Sequence, residues 1–252
     1  MENFQQYEMT PQIPYDIVEL PSKGIYYPNK KKTLKVSYLT AADENILTSP
    51  NINRGIEVLD FLLKSKILDK DIDVTQLAEC DRQAVFIFLR NTAFGSEYKF
   101  TLEDPKTKEK FEIVEDLSIL TTKEIEEIPD ENSEFTTTLP KSGKKIKIKL
   151  LSPKEEEEIR KSIEAYKGQK VPPSITKRLE RLVVEIDGDR DSMSISQQIN
   201  MLPILDSQYI RKFSEKIQPG LNLNRESVSP SGEVVKYTIE FGFNFFRPFF
   251  GV

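Results

Sequence analysis

Residues 33–39 alternate between apolar and polar, with Leu34, Val36 and Tyr38 on one side, the period of a half-buried strand. Thr40-Ala41-Ala42-Asp43 follows at once. A threonine at the N-cap and an acid three residues later predict a helix start. The hydroxyl accepts an orphan N–H, and the carboxylate favours the positive helix end. Ser49-Pro50-Asn51 ends that helix early. Ile56, Leu59, Leu63 and Ile67 recur at helical spacing and predict a second helix over about 54–68 with one buried stripe. A third helix is predicted over 81–92. Its centre, Ala84 through Leu89, is apolar all round, so burial on most sides is expected, with Gly95 as the C-cap. Strands over 97–102 and 110–114 follow, joined by the turn Asp104-Pro105-Lys106-Thr107.

The same order then returns. Ile146 through Glu155 aligns without a gap on Leu34 through Asp43, with Ser152 at the N-cap, Pro153 at N1 and Glu155 closing a capping box. A helix with Ile175, Leu179, Leu182 and Ile186 on one face comes next. Asp206, Gln208, Phe213 and Gly220 fall on Asp81, Gln83, Phe88 and Gly95 at one constant offset. Ser229-Pro230-Ser231-Gly232 falls on the first hairpin turn at that same offset. The order of elements carries this match more than the few identical letters do. The expected architecture is α+β, with two topologically similar halves, each a strand followed by helices and a β-hairpin. The chain divides into an N-terminal arm over 1–19, a first half over 20–128, and a second half over 129–252 ending in an aromatic tail. A polar linker over 128–134 separates the halves.

What the chain lacks narrows its chemistry. Its 252 residues include no histidine and one cysteine, Cys80. Ser-His-Asp triads, His-based metal sites and intrachain disulfides are therefore impossible, and no cofactor is expected. No apolar run approaches the ~20 residues of a membrane span. The first residues carry no signal-peptide pattern, so a cytosol-like compartment is expected. Net charge is −5, which argues against nucleic-acid binding. Two basic clusters stand against that balance: Lys30-Lys31-Lys32, and Lys145, Lys147 and Lys149 alternating with Ile146, Ile148 and Leu150. A solvated strand face explains the second better than a phosphate site does.

Three candidate sites fail on their own chemistry. Asp187-Gly188-Asp189-Arg190-Asp191 begins like a calcium loop but has Ser192 and Gln198 where the glycine and the bidentate glutamate belong. Glu155 through Glu158 point around a helix rather than into one cleft, and in a first turn they favour the dipole. Cys80 has no imidazole to activate it and reads as a small buried hydrophobe.

The two ends are different. Six phenylalanines fall within residues 241–252. Phe245, Phe246, Arg247, Pro248, Phe249 and Phe250 form either part of the chain's own core or a partner surface. In the arm, Ile13, Tyr15 and Ile17 supply apolar area too small to fold alone, which makes them a second candidate partner surface.

Leu20-Pro21-Ser22-Lys23-Gly24 with Tyr27-Pro28, then Leu39 through Glu44 running into Ile46-Leu47-Thr48-Ser49-Pro50-Asn51, resembles the baseplate hub assembly proteins of T4-like contractile-tailed bacteriophages. Asp81-Arg82 leading to Phe94-Gly95-Ser96-Glu97-Tyr98 matches the same family. So do Leu139-Pro140-Lys141-Ser142-Gly143-Lys144, Leu150-Leu151 and Phe245-Phe246-Arg247-Pro248. Many members of that family carry Cys-x-x-Cys pairs in the hairpins after each half. Here residues 103–108 and 228–232 contain no cysteine, so no zinc role carries over. The resemblance implies a non-enzymatic structural or assembly protein of the baseplate hub, in the virion tail and assembled in the host cytoplasm. Its partners would be other baseplate and tail proteins, with no membrane and no specific nucleic acid, and several copies in a symmetric assembly are allowed. A transient assembly factor absent from the finished virion fits the same residues. An enzyme or nucleic-acid protein is the reading they fit least.

Overall fold

The computed structural model describes residues 13–48, 55–166, 173–241 and 243–246. Strand β1 (Tyr15–Glu19) pairs antiparallel with β2 (Thr33–Ser37), Val18 lying opposite Leu34. Helix α1 (Ala41–Thr48) starts where the sequence places it: Asp43 Oδ2 accepts from the Thr40 N–H at 2.7 Å and the Thr40 hydroxyl at 2.6 Å. The stop at residues 49–51 lies outside the described residues. Helix α2 (Gly55–Lys66) buries Leu59 and Leu63, and Ile67 just beyond it is also buried. The Ile56 side chain is outside the described set. Val36 bridges Ile67, the Leu68 N–H donates to Lys35 O (2.9 Å) and the Lys35 N–H to Asp69 (2.6 Å), so the chain after α2 is tied to the free edge of β2. Helix α3 (Glu79–Phe94) ends at Gly95, whose φ of 81° is the left-handed region glycine tolerates. Strands β3 (Glu97–Glu103) and β4 (Lys110–Asp116) form the first long hairpin.

The second run opens with β5 (Glu134–Thr138) and β6 (Lys145–Lys149), a hairpin like β1–β2. Ser152 caps helix α4 (Pro153–Glu164) in a full capping box. Helix α5 (Ser174–Leu182) is shorter than its periodicity suggested. Val183–Ile186 leaves it as strand β7, which joins β6, so Ile186 is buried by sheet pairing and Ile175 is 48% exposed. Helices α6 (Ser192–Asn200) and α7 (Ile204–Lys216) follow, then β8 (Asn224–Val228) paired with β9 (Val234–Thr238). Strands β1, β5 and β7 and helix α6 were not expected from the sequence.

A buried aspartate ties down the loop between the first two strands of each run. Asp81, in the first turn of α3, accepts from the Ser22 N–H (2.9 Å), the Ser22 hydroxyl (2.6 Å) and the Tyr27 hydroxyl (2.5 Å). Asp206, in the first turn of α7, accepts from the N–H groups of Lys141 (2.8 Å) and Ser142 (3.0 Å). Both loops read Leu-Pro-x-x-Gly. Gly24 has φ +80°, and a Cβ there would lie 2.6 Å from the Lys30 carbonyl, so only glycine fits.

The cores do not divide as the chain does. One contains Val18, Leu34, Leu63, Leu89 and Leu117 together with Ile239, Phe245 and Phe246 from the far end of the chain. The other contains Phe135, Ile148, Leu182, Ile210 and Ile217. Two connecting segments run side by side between them: Lys123 N–H donates to Gly220 O (2.8 Å), and Asn222 N–H to Thr121 O (2.9 Å). β1 belongs to the first body rather than to an arm, and the residues after about 221 return to that body.

Candidate interaction surfaces

Alternation along β1 puts Ile13, Tyr15 and Ile17 on one face and Val18 with Leu20 toward the core. The outer three are 58%, 45% and 64% exposed, whereas Val18 and Leu20 are 8% and 3%. The Lys35 ammonium sits 5.6 Å from the centre of the Tyr15 ring, and the Tyr38 hydroxyl donates to Asp16 at 2.7 Å. These polar neighbours frame the apolar row without covering it.

The C-terminal aromatics behave otherwise. Phe245 and Phe246 are each 1% exposed. Phe246 meets Phe86 edge-on at 5.8 Å, and Phe245 meets Tyr98 at 5.1 Å. Arg90, itself fully buried, donates to the carbonyls of Phe245 (3.1 Å), Gly95 (2.6 Å) and Glu97 (2.7 Å), and its guanidinium lies over the rings of Tyr98 and Phe245. Of the two readings left open, internal packing holds for Phe245 and Phe246, because the first body already offers them an aromatic pocket. Arg247, Pro248, Phe249 and Phe250 lie outside the described residues.

The two long hairpins lean on each other. Asp104 in the first turn accepts from the Ser231 N–H (3.0 Å) and hydroxyl (2.8 Å) in the second, as well as from the N–H groups of Lys106 and Thr107. Burial pushes the Asp104 carboxyl up, but these donors outweigh it and hold the group well below the usual carboxylate range. Phe100 and Tyr237 meet at 5.5 Å, and Glu115 accepts from the Tyr237 hydroxyl and lies near Arg225. Hydrogen bonds and ring contacts thus hold the tips.

The remaining candidates disperse. Asp187 accepts from Lys145 N–H, Asp189 from Asp191 N–H, and Asp191 caps α6 through Ser194 N–H, so each carboxylate serves a turn. Glu156 pairs with Arg178 and Glu158 with Arg181, both on α5, while Glu157 pairs with Arg160 within α4, so each is taken up by an ion pair. Burial, then the adjacent Asp81 charge, pushes the Cys80 thiol far up, away from the nucleophilic thiolate. Lys147 pairs with Asp130 and Lys149 with Glu155, while Lys31 pairs with Asp69 and Asp71. Neither basic cluster is a bare phosphate-binding face. Among the described residues no group of three or more Cys, Asp or Glu could hold a metal ion, and no helix is long and apolar enough to cross a membrane. A groove of about 660 Å³, which the sequence did not signal, opens between the loop at Ser22–Lys32 and the segment around Ile125, with Phe135 in its lining.

Fold and surfaces together define an α+β protein with two cores and an exposed apolar row at the start of the first sheet. A family model described as T4 bacteriophage base plate protein matches residues 18–247. The chain belongs to that family, and it is a structural protein of a phage baseplate. No curated protein and no solved structure matches it.

Proposed function

We propose that the chain is a non-enzymatic component of the baseplate hub that binds neighbouring tail proteins through the outer face of β1. The observation carrying this reading is the row Ile13, Tyr15 and Ile17, exposed on a strand whose other face is anchored in a core. Rigid aromatic and aliphatic side chains on a fixed strand are good anchors, since little ordering entropy is lost when they are covered. Arg247, Pro248, Phe249 and Phe250 serve as a second contact. The two runs of elements are copies of one topology: the paired caps at Thr40 and Ser152 and the paired loop-holding aspartates support this. Mass spectrometry of purified particles tests the role. A constant stoichiometric amount in finished tails supports a resident component. Absence from tails that need the protein for assembly would instead make it a transient assembly factor.

A further inference from the structure

The β1–β2 sheet has two strands and two outer edges, and the described chain fills one of them. The Leu20 N–H donates to Lys32 O at 2.8 Å, one step past the last pair of the β1–β2 register. Bonding alternates along an antiparallel ladder. Asp16 and Val18 therefore turn their N–H and C=O groups toward β2, and Tyr15, Ile17 and Glu19 turn theirs away. The far side of β2 obeys the same parity. Lys35, opposite Ile17, accepts from the Leu68 N–H and donates to Asp69. Residues 67–69 thus cover the β2 edge. On the β1 edge the main-chain groups of Tyr15, Ile17 and Glu19 find no partner among the described residues, and all three residues are exposed.

The matching strand of the second half, β5, is built differently. Leu139 repeats the Leu20 bond, its N–H donating to Lys144 O at 2.8 Å, so Glu134, Thr136 and Thr138 stand where Tyr15, Ile17 and Glu19 stand. Asp130 closes the Glu134 position: its N–H donates to Glu134 O (2.8 Å) and its carboxylate accepts from the Glu134 N–H (3.0 Å). The other two positions carry threonine. The fold therefore does not require apolar residues on this edge. Of the two strands, β1 is the one that sets Tyr15 and Ile17 beside unpaired main-chain groups. Proteins blunt such an edge with lysine, proline or a bulge, and residues 15–19 have none of these.

We infer that the neighbouring tail protein at this face docks by adding an extended strand to β1, which makes the sheet three-stranded. This rests on the docking role proposed for the β1 row and states what kind of partner the row takes. N–H and C=O groups repeating at every second residue match the main chain of another strand, which meets all of them at once. The chemistry of the added strand follows from the side chains it meets. Aromatic or β-branched residues lie beside Tyr15 and Ile17, where cross-strand apolar pairs are favourable. A lysine or arginine lies beside Glu19, which forms no ion pair among the described residues and would repel a like charge.

Ile17→Pro set against Ile17→Val tests the mode of docking. Both new side chains are apolar and close in size, but proline lacks the outward N–H and its ring obstructs the edge. The β1–β2 ladder uses Asp16, Val18 and Leu20, so both variants should melt near the wild type. In purified phage tails the proline variant should be about tenfold scarcer than the valine variant, the effect of one lost main-chain bond. Equal amounts of the two would overturn strand addition and leave the row as a docking surface. Full incorporation of Ile13→Ser with Ile17→Ser, or absence of the wild type from tails, would overturn the docking reading and this inference with it. Amide exchange of the wild type is a second test that does not depend on a variant folding. The N–H groups of Tyr15, Ile17 and Glu19 should exchange fast in the free chain and slowly in tails. Fast exchange in tails would overturn the inference. So would slow exchange already in the free chain, which would mean that the chain itself or a second copy fills the edge.

Discussion

Two rows of apolar side chains lie near the ends of the described chain, and their surroundings are opposite. Ile13, Tyr15 and Ile17 stand in solvent, while Phe245 and Phe246 are sealed. The difference is in their neighbours. Val18 and Leu20 already anchor β1, so its outer face is left over. Phe245 and Phe246 enter a pocket made by Phe86, Tyr98 and Arg90, and the Arg90 bond to Phe245 spans 155 positions of sequence. Aromatic density near a terminus shows how much area needs cover, not whether the cover comes from the same chain.

The largest expected effect is at the sealed end. Phe245→Ala with Phe246→Ala should cost about 3–5 kcal/mol at each site. The sum rivals the whole stability of a typical domain, about 5–15 kcal/mol. Truncation after Asn244 should likewise unfold the first body, as read by circular dichroism. A truncated chain that melts normally would show that the two rings are not holding the core. Arg90→Met should come next, at about 3 kcal/mol, because it strands the carbonyls of Gly95, Glu97 and Phe245 without a donor. Urea titration measures it, and an unchanged midpoint would mean that water replaces the guanidinium.

Acid should act more gently. Asp43, Asp104 and Glu155 are each pushed up by burial and pulled further down by their partners: Lys66 and Thr40 for Asp43, Lys106 and Ser231 for Asp104, Lys149 and Ser152 for Glu155. A carboxylate lowered in the folded state contributes stability above its unfolded value of about 4, and that contribution is lost as pH falls through the folded value. The melting temperature should therefore fall below about pH 4, and Asp104→Asn should flatten that fall. An identical pH profile for the variant would remove Asp104 from the explanation.

Local chemistry was legible wherever a few adjacent residues settle the structure. The Thr40 and Ser152 caps, the Gly95 stop and both long hairpin turns follow from side chains within four positions of one another. The unexpected elements need distant partners. β1 is a strand because β2 lies beside it, and Val183–Ile186 leaves its helix because β6 has a free edge. The aspartate clasps were visible only in part. Asp81 and Asp206 align in sequence, but a length difference between the loops hides that Leu20-Pro21 and Leu139-Pro140 are what they hold. The candidate surface was half legible: the apolar residues could be named at both ends, but their exposure depended on the rest of the fold.

The smallest expected effect on stability accompanies the largest on assembly. Ile13→Ser with Ile17→Ser changes exposed positions and should shift stability by no more than about 0.5 kcal/mol per site. The direct measurement is the amount of this double variant in purified phage particles, set beside its thermal melt. A near-normal melt with loss from the particles is the expected result, since the row is then needed for docking and not for folding. A normal melt with full incorporation would contradict the assignment of the β1 face as the docking surface.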